Sequence, residues 1–234
     1  MNINDFIVQV ALPEHRVFAE EICEEMAESA KARGTGIAKR SPEYVAGKMV
    51  DGKAVIAFHS DGSWAGFCYI ETWSHGQFVA NSGLVVSPKY RKVGLANAIK
   101  HKIFALSRQK YPKAKIFGLT TGLAVMKINS DLGYEPVTYS ELTQDEEFWK
   151  GCQSCVNFEI LKMKERKNCM CTAMLYDPVE QKHEVAKKFA EELQQKPKLY
   201  ERFMRIKQRL VLKTKPQSKK GLKSLFLLFT ILFK

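Results

Sequence analysis

The first apolar run, FIVQVAL from Phe6 to Leu12, is rich in β-branched residues and predicts a strand. The period then changes to four. Phe18, Ile22, Met26 and Ala30 fall on one face of a segment that Pro13 opens and Gly34 closes, so a helix is predicted. Ser41-Pro42-Glu43 starts a second, shorter helix ending near Asp51-Gly52. Three apolar segments follow, AVIAFHS, SWAGFCYIETW and QFVANSGLVVS. The turn residues Asp61-Gly62 and Ser74-His75-Gly76 separate them, the mark of an antiparallel meander. Ile99, Ile103 and Leu106 predict a helix from Ala96 to about Tyr111, stopped by Pro112. A strand over Lys115 to Thr121, a helix through GLAVMKINSDLGY, a strand over EPVTYSEL and a last strand at CTAMLYDP complete the pattern. A meander feeding a β-α-β unit predicts an α/β (α+β) fold, with a mixed, mostly antiparallel sheet flanked by helices.

Charge changes this picture only at one end. The 234 residues carry +12, yet fifteen Lys or Arg against five Asp or Glu lie from Glu180 onward. The body of the chain is therefore nearly neutral. Residues 1–178 are read as the folded domain, with a Cys-rich excursion at 144–172, and 179–234 as a basic helical tail. In the tail, Leu199, Phe203, Ile206 and Leu210 form an apolar stripe for packing on the domain itself or on a second copy in a homodimer. The final SLFLLFTILF is shorter than the roughly 20 residues a membrane span needs, and suits a membrane surface or a hydrophobic groove. Basic residues without interleaved aromatics give no strong nucleic-acid signal. MNINDFIVQV lacks the pattern of a secretory signal, so a cytoplasmic location is expected.

The candidate chemistry begins at VVSPKYRKVGLANAIK, where a strand enters a helix through Arg91, Lys92, Val93, Gly94, Leu95 and Ala96. Unpaired N–H groups at a helix start attract phosphate, and small residues at Gly94 and Ala96 let a phosphate approach them. In this setting V-x-P-x-x-R-x-x-G-x-A, followed by helix, strand and a helix ending LGY before EPV, resembles the GNAT superfamily of acyl-coenzyme A N-acyltransferases. The resemblance covers about Ile7 to Leu142 plus the closing strand. It implies that the loop from Arg91 to Ala96 binds the pyrophosphate of acetyl-coenzyme A or another short acyl-coenzyme A. It also implies that Leu84, Val85 and Val86 pair with the pantetheine arm, and that Thr120 borders the acyl cleft. FGLTTGLAVMKINSDLGYEPVTYSEL followed by FWKGCQSC is similar to a bacterial subgroup associated with arginine biosynthesis, which implies L-glutamate as acceptor.

Direct acyl transfer needs a base for the amine and an acid for the departing thiolate. Strand QFVANSGLVV holds no carboxylate, so Glu71 and His75 are the nearest base candidates, with Asn81 or Ser82 placing a water. The plain alternatives are a solvated strand-end carboxylate and a turn histidine facing solvent. The position where the resemblance implies a tyrosine acid holds Asn129, which is read as orienting the thiol end, and Tyr134 is read as core. Arg40, Lys39 and Lys127 are candidate partners for the acceptor's carboxylates. Cys152 and Cys155, with thirteen residues between them and the pair Cys169 and Cys171, could with that pair surround a structural zinc ion; free buried thiols and a redox pair are the competing readings. The leading expectation is an N-acyltransferase acting on a small amine. A non-catalytic acyl-coenzyme A sensor and an enzyme for another small or protein amine are the rivals.

Overall fold

The computed structural model describes residues 2–32, 34, 39–181, 184 and 188. The chain divides into a unit of Met1–Gln181 and a second of Lys182–Lys234, so the tail stripe and SLFLLFTILF lie outside the described residues. Strand β1 is Phe6–Val10, and the turn after it is 3-10 over Pro13–Phe18 before helix α1, Ala19–Ala32, takes the α-helical period. Helix α2, Pro42–Val50, has Ser41 as N-cap, accepting from the Tyr44 amide at 3.3 Å. The meander is β2, Ala54–His59; β3, Trp64–Trp73; and β4, Phe78–Val86. Helix α3, Leu95–Lys110, leads to β5, Lys115–Thr120; α4, Leu123–Asp131; β6, Glu135–Val137; the excursion helices α5, Glu146–Lys150, and α6, Phe158–Met163; and β7, Thr172–Tyr176.

These strands form one sheet in the order β1-β2-β3-β4-β5-β7-β6. Every pairing is antiparallel except β4 with β5. The predicted strand EPVTYSEL stops at Val137, because the Thr138 amide turns to donate to Glu141 Oε1 at 2.9 Å and opens a 3-10 turn. Pro136 is tolerated because β6 is an edge strand. The excursion holds two short helices that the hydrophobic pattern did not predict.

The periodicities decide which side chains are buried. Ile22 and Met26 of α1 pack with Val45 and Met49 of α2 over Ile56 and Phe67 on one face, and Ala30 is buried too. On the other face Leu95, Ile99, Ile103 and Leu106 of α3 meet Val55, Ala57, Cys68 and Val79. A third cluster, around Phe117, Trp149, Leu161 and Leu175, ties the excursion to β5 and β7.

Candidate active site

The site begins where the two parallel strands separate. β4 and β5 pair only from Phe78↔Lys115 to Ala80↔Phe117, so β4 beyond Ala80 has a free edge towards β5. Its other edge shifts register against β3 between Phe67 and Tyr69, with Gly83 at φ +65°. A Cβ at Gly83 would run into the Tyr69 ring and lie 2.8 Å from the Met26 methyl, so both backbone and space require glycine. The divergence opens a cleft of about 660 Å³ lined by Ser82, Gly83 and Leu84 of β4, Gly118 to Gly122 after it, Asn129, Arg40, Tyr69, Glu71 and Lys100.

The connection from β4 to α3 has the form an anion site needs. Lys92 takes φ +67° and Gly94 φ +86°. Among the described residues, no amide from Lys92 to Asn97 has a hydrogen-bond partner. Space is open where a Gly94 side chain would stand. Successive unpaired amides around left-handed residues, at the positive end of a 16-residue helix, form a concavity suited to phosphate. Arg91 contributes differently from its expected role. Its guanidinium donates to Val86 O at 3.0 Å, to Glu25 Oε1 at 2.8 Å and to Ser29 Oγ at 2.6 Å, which pins the loop to α1.

One wall of the cleft carries a polar network. Glu71 on β3 is buried, and it accepts from Arg40 Nη2 at 3.1 Å, from the Tyr44 hydroxyl, and from Ser82 Oγ at 3.3 Å. Arg40 Nε also donates to the Tyr69 hydroxyl at 3.1 Å. The Ser41 cap explains the placement, since it sets Arg40 just before α2 and Tyr44 in its first turn. Burial and the Glu71 charge push the Tyr44 and Tyr69 phenols well above the ordinary tyrosine range, so both are donors rather than bases. On the opposite wall, Asn129 is buried with its Nδ2 3.7 Å from Met174 Sδ and no donor to its Oδ1 among the described residues. That orphan oxygen suits the S–H or an amide N–H of a pantetheine arm, and with the open amides of the loop it makes the cleft fit coenzyme A.

No protein-family model and no curated protein matches the sequence. Solved structures do match in shape. The N-acetylglutamate synthase of Neisseria gonorrhoeae, complexed with coenzyme A and N-acetyl-glutamate, superposes with a TM-score of 0.53 at 16% identity, over 74% of this chain and 35% of that one. Rv2747 of Mycobacterium tuberculosis, in complex with coenzyme A, gives 0.52 at 16% identity over 73% of this chain and 98% of that one. The GNAT superfamily phosphinothricin acetyltransferase of Sinorhizobium meliloti gives 0.50 at 14% identity, over 74% and 88%. The chain adopts the GNAT fold. It spans about a third of the length of the Neisseria enzyme.

Within this GNAT fold the expected site residues divide. Glu71, Asn81, Leu84, Thr120, Asn129 and Arg40 all line the cleft. Val85 and Val86 continue β4 opposite Phe67 and Gly66, and Leu95 is buried beneath the loop. Asn81 is occupied structurally: its Nδ2 donates to Ser107 Oγ at 2.8 Å and its Oδ1 accepts from Tyr134, which is core as expected. His75 is corrected. It is exposed on the β3–β4 turn, held outside the cleft because Ser74 is tied to Asp145 and Thr143 of the excursion. Lys127 is corrected too, being exposed on the outer face of α4 and away from the lining.

The zinc expectation for Cys152, Cys155, Cys169 and Cys171 is not supported. Among the described residues no three His, Cys, Asp or Glu side chains gather to hold a metal ion. Cys155 Sγ accepts from the Asn157 amide at 3.4 Å, and Cys169 donates to Asn157 O at 3.8 Å. Burial first, and neighbouring sulfurs second, push Cys152 up to about 11 and Cys171 up to about 12. Among the groups that escaped the sequence reading are Tyr69, Gly83 and Lys100 of the lining, and Tyr44, which donates to Glu71. Lys100 left a trace, because it and Ser107 stand seven residues apart at the edge of the Ile99–Ile103–Leu106 stripe, where solvent-facing positions are not due.

Proposed function

We propose that this protein is an acyl-coenzyme A-dependent N-acyltransferase for a small amine. The observation that carries it is the run of unpaired amides from Lys92 to Asn97 opening onto the cleft where β4 leaves β5. Bound there, an acyl-coenzyme A would supply the activated thioester carbonyl. The loop amides hold the diphosphate, the free edge of β4 around Ser82 to Leu84 orients the arm and carbonyl, and Asn129 Oδ1 accepts from an amide N–H of the arm, orienting its thioester end. Alignment of this kind is itself a large part of the rate.

The acceptor amine enters from the wall of Arg40, Tyr44 and Glu71. Its nitrogen forms the new bond to the acyl carbon and loses a proton towards Glu71, with the Ser82 hydroxyl 3.3 Å away as the neighbouring relay. L-Glutamate as acceptor, and a place in arginine biosynthesis, rest on the motif resemblance and on the fold shared with the Neisseria enzyme. Arg40 is the cation that would meet an acceptor carboxylate.

A panel of acetyl- and succinyl-coenzyme A against amino acids, read as thiol release, tests the proposal. Glu71→Gln should lower kcat about 100-fold while donor affinity is unchanged. A specific observation favours a second reading, an acyl-coenzyme A sensor: Glu71 already accepts from three donors, and Asn129 stands where an acid is expected. Donor binding by calorimetry without thiol release from any acceptor would select that reading, and no donor binding at all would reject both.

A further inference from the structure

Lys100 is a cationic side chain of this cleft whose chemistry the account above does not use. It sits in the second turn of α3, is 2% exposed, and lines the cleft. Among the described residues it makes no hydrogen bond and no ion pair. The groups facing it from neighbouring elements are the Cys68 thiol of β3 and the ring of Tyr134, whose centroid lies 5.4 Å from the ammonium nitrogen. The other charged and titratable groups of the lining are Arg40, Tyr69, Glu71, Glu147, Cys152, Cys155 and Cys171. Of these the anionic Glu71 is committed to Arg40. An ammonium taken out of water without a counter-charge is costly, and such groups persist where a ligand completes them.

We propose that Lys100 is the acid of the donor side, giving its proton to the coenzyme A thiolate as it departs. The inference rests on the acyltransferase reading above. As the acceptor nitrogen bonds to the acyl carbon, the C–S bond breaks and its electron pair goes to sulfur. The Lys100 ammonium transfers one proton to that sulfur and is left a neutral amine, which solvent reprotonates through the open cleft. The acceptor's proton leaves towards Glu71, so the two transfers are separate and charge balances. Burial holds the lysine below its ordinary value, which shifts its acidity in the direction of a thiol's. It also explains how Asn129 can stand on the opposite wall without supplying a proton. The acid has moved from α4 to α3.

Two readouts test this, one without turnover. The thiolate absorbance of bound coenzyme A is titrated against desulfo-coenzyme A as blank, in the full chain and in Lys100→Met. The expected result is a bound thiol that ionises at lower pH in the wild type, by about one unit, a tenfold change in its acid constant. In steady state, Lys100→Met should lower kcat at least about tenfold with the donor KM within about threefold. The alkaline limb of the wild-type kcat profile should vanish in the variant. Lys100→Arg, which keeps the charge but does not release a proton, should restore the thiolate shift without restoring kcat. Equal thiol titration in wild type and Lys100→Met overturns the proposal, as does a Lys100→Arg enzyme of full activity. A loss of melting temperature and coenzyme binding together in Lys100→Met also overturns it, since that is a structural role. If coenzyme A does not bind the wild type, the acyltransferase reading fails and this inference falls with it. Binding with an unshifted thiol sinks the inference alone.

Discussion

Two residues carry the sharpest consequences. Gly94 enters α3 at φ +86° with open space beside it, so a side chain there would be strained by its backbone and would stand over the free amides. Gly94→Val should therefore weaken coenzyme A binding by at least about tenfold, measured by calorimetry, while the core beneath, from Leu95 inward, still folds. Lys100 makes a stability prediction of its own. Its folded-state value is depressed by burial, so the unfolded chain holds that proton more tightly. The cost to the fold is full below the folded value, shrinks as pH rises through the interval, and is gone above the ordinary lysine value of about 10.4. Lys100→Met removes the cost. It should raise the melting temperature at pH 7, by roughly 2–4 °C for each kcal/mol relieved, with the gain fading towards pH 10.

At the scale of elements, the excursion is held to the sheet by packing. Trp149 is 3% exposed, donates to Thr143 O at 3.1 Å and meets Phe148 at 4.8 Å between ring centroids. Phe148 in turn packs edge-on against Trp73 and Phe117 and lines the cleft. Trp149→Ala should cost about 3–5 kcal/mol, read by denaturant unfolding. Sequence spacing alone did not decide this region, because paired cysteines meet the count for a metal site but count does not fix the geometry of the sulfurs.

For the whole molecule, the compact unit of Met1–Gln181 contains the complete sheet, the loop and the cleft. A chain ended after Gln181 should fold and bind coenzyme A with the affinity of the full chain, within about threefold by calorimetry, and loss of binding would assign the remainder a part in the site. Among the described residues no helix is long and apolar enough to cross a membrane.

Much of this architecture was legible along the chain. A period of two in the meander, a period near four in α1 and α3, and proline or glycine at element ends are local rules, so Ile22, Met26, Ile99 and Ile103 declare their burial without reference to distant residues. The strand–loop–helix junction at Arg91 to Ala96 is equally local, since its unpaired amides follow from helix geometry. Which polar groups meet is a different matter. The Arg40–Glu71–Tyr44 network, the solvent position of His75 and the isolation of Lys100 join residues from separate elements, or separate residues one element apart. Their partners are chosen by sheet order, by the register shift at Gly83 and by the parting of β4 from β5. Periodicity specifies the face a side chain takes; only the assembled sheet specifies what that face confronts, because desolvation and Coulomb forces depend on distances that sequence separation does not contain.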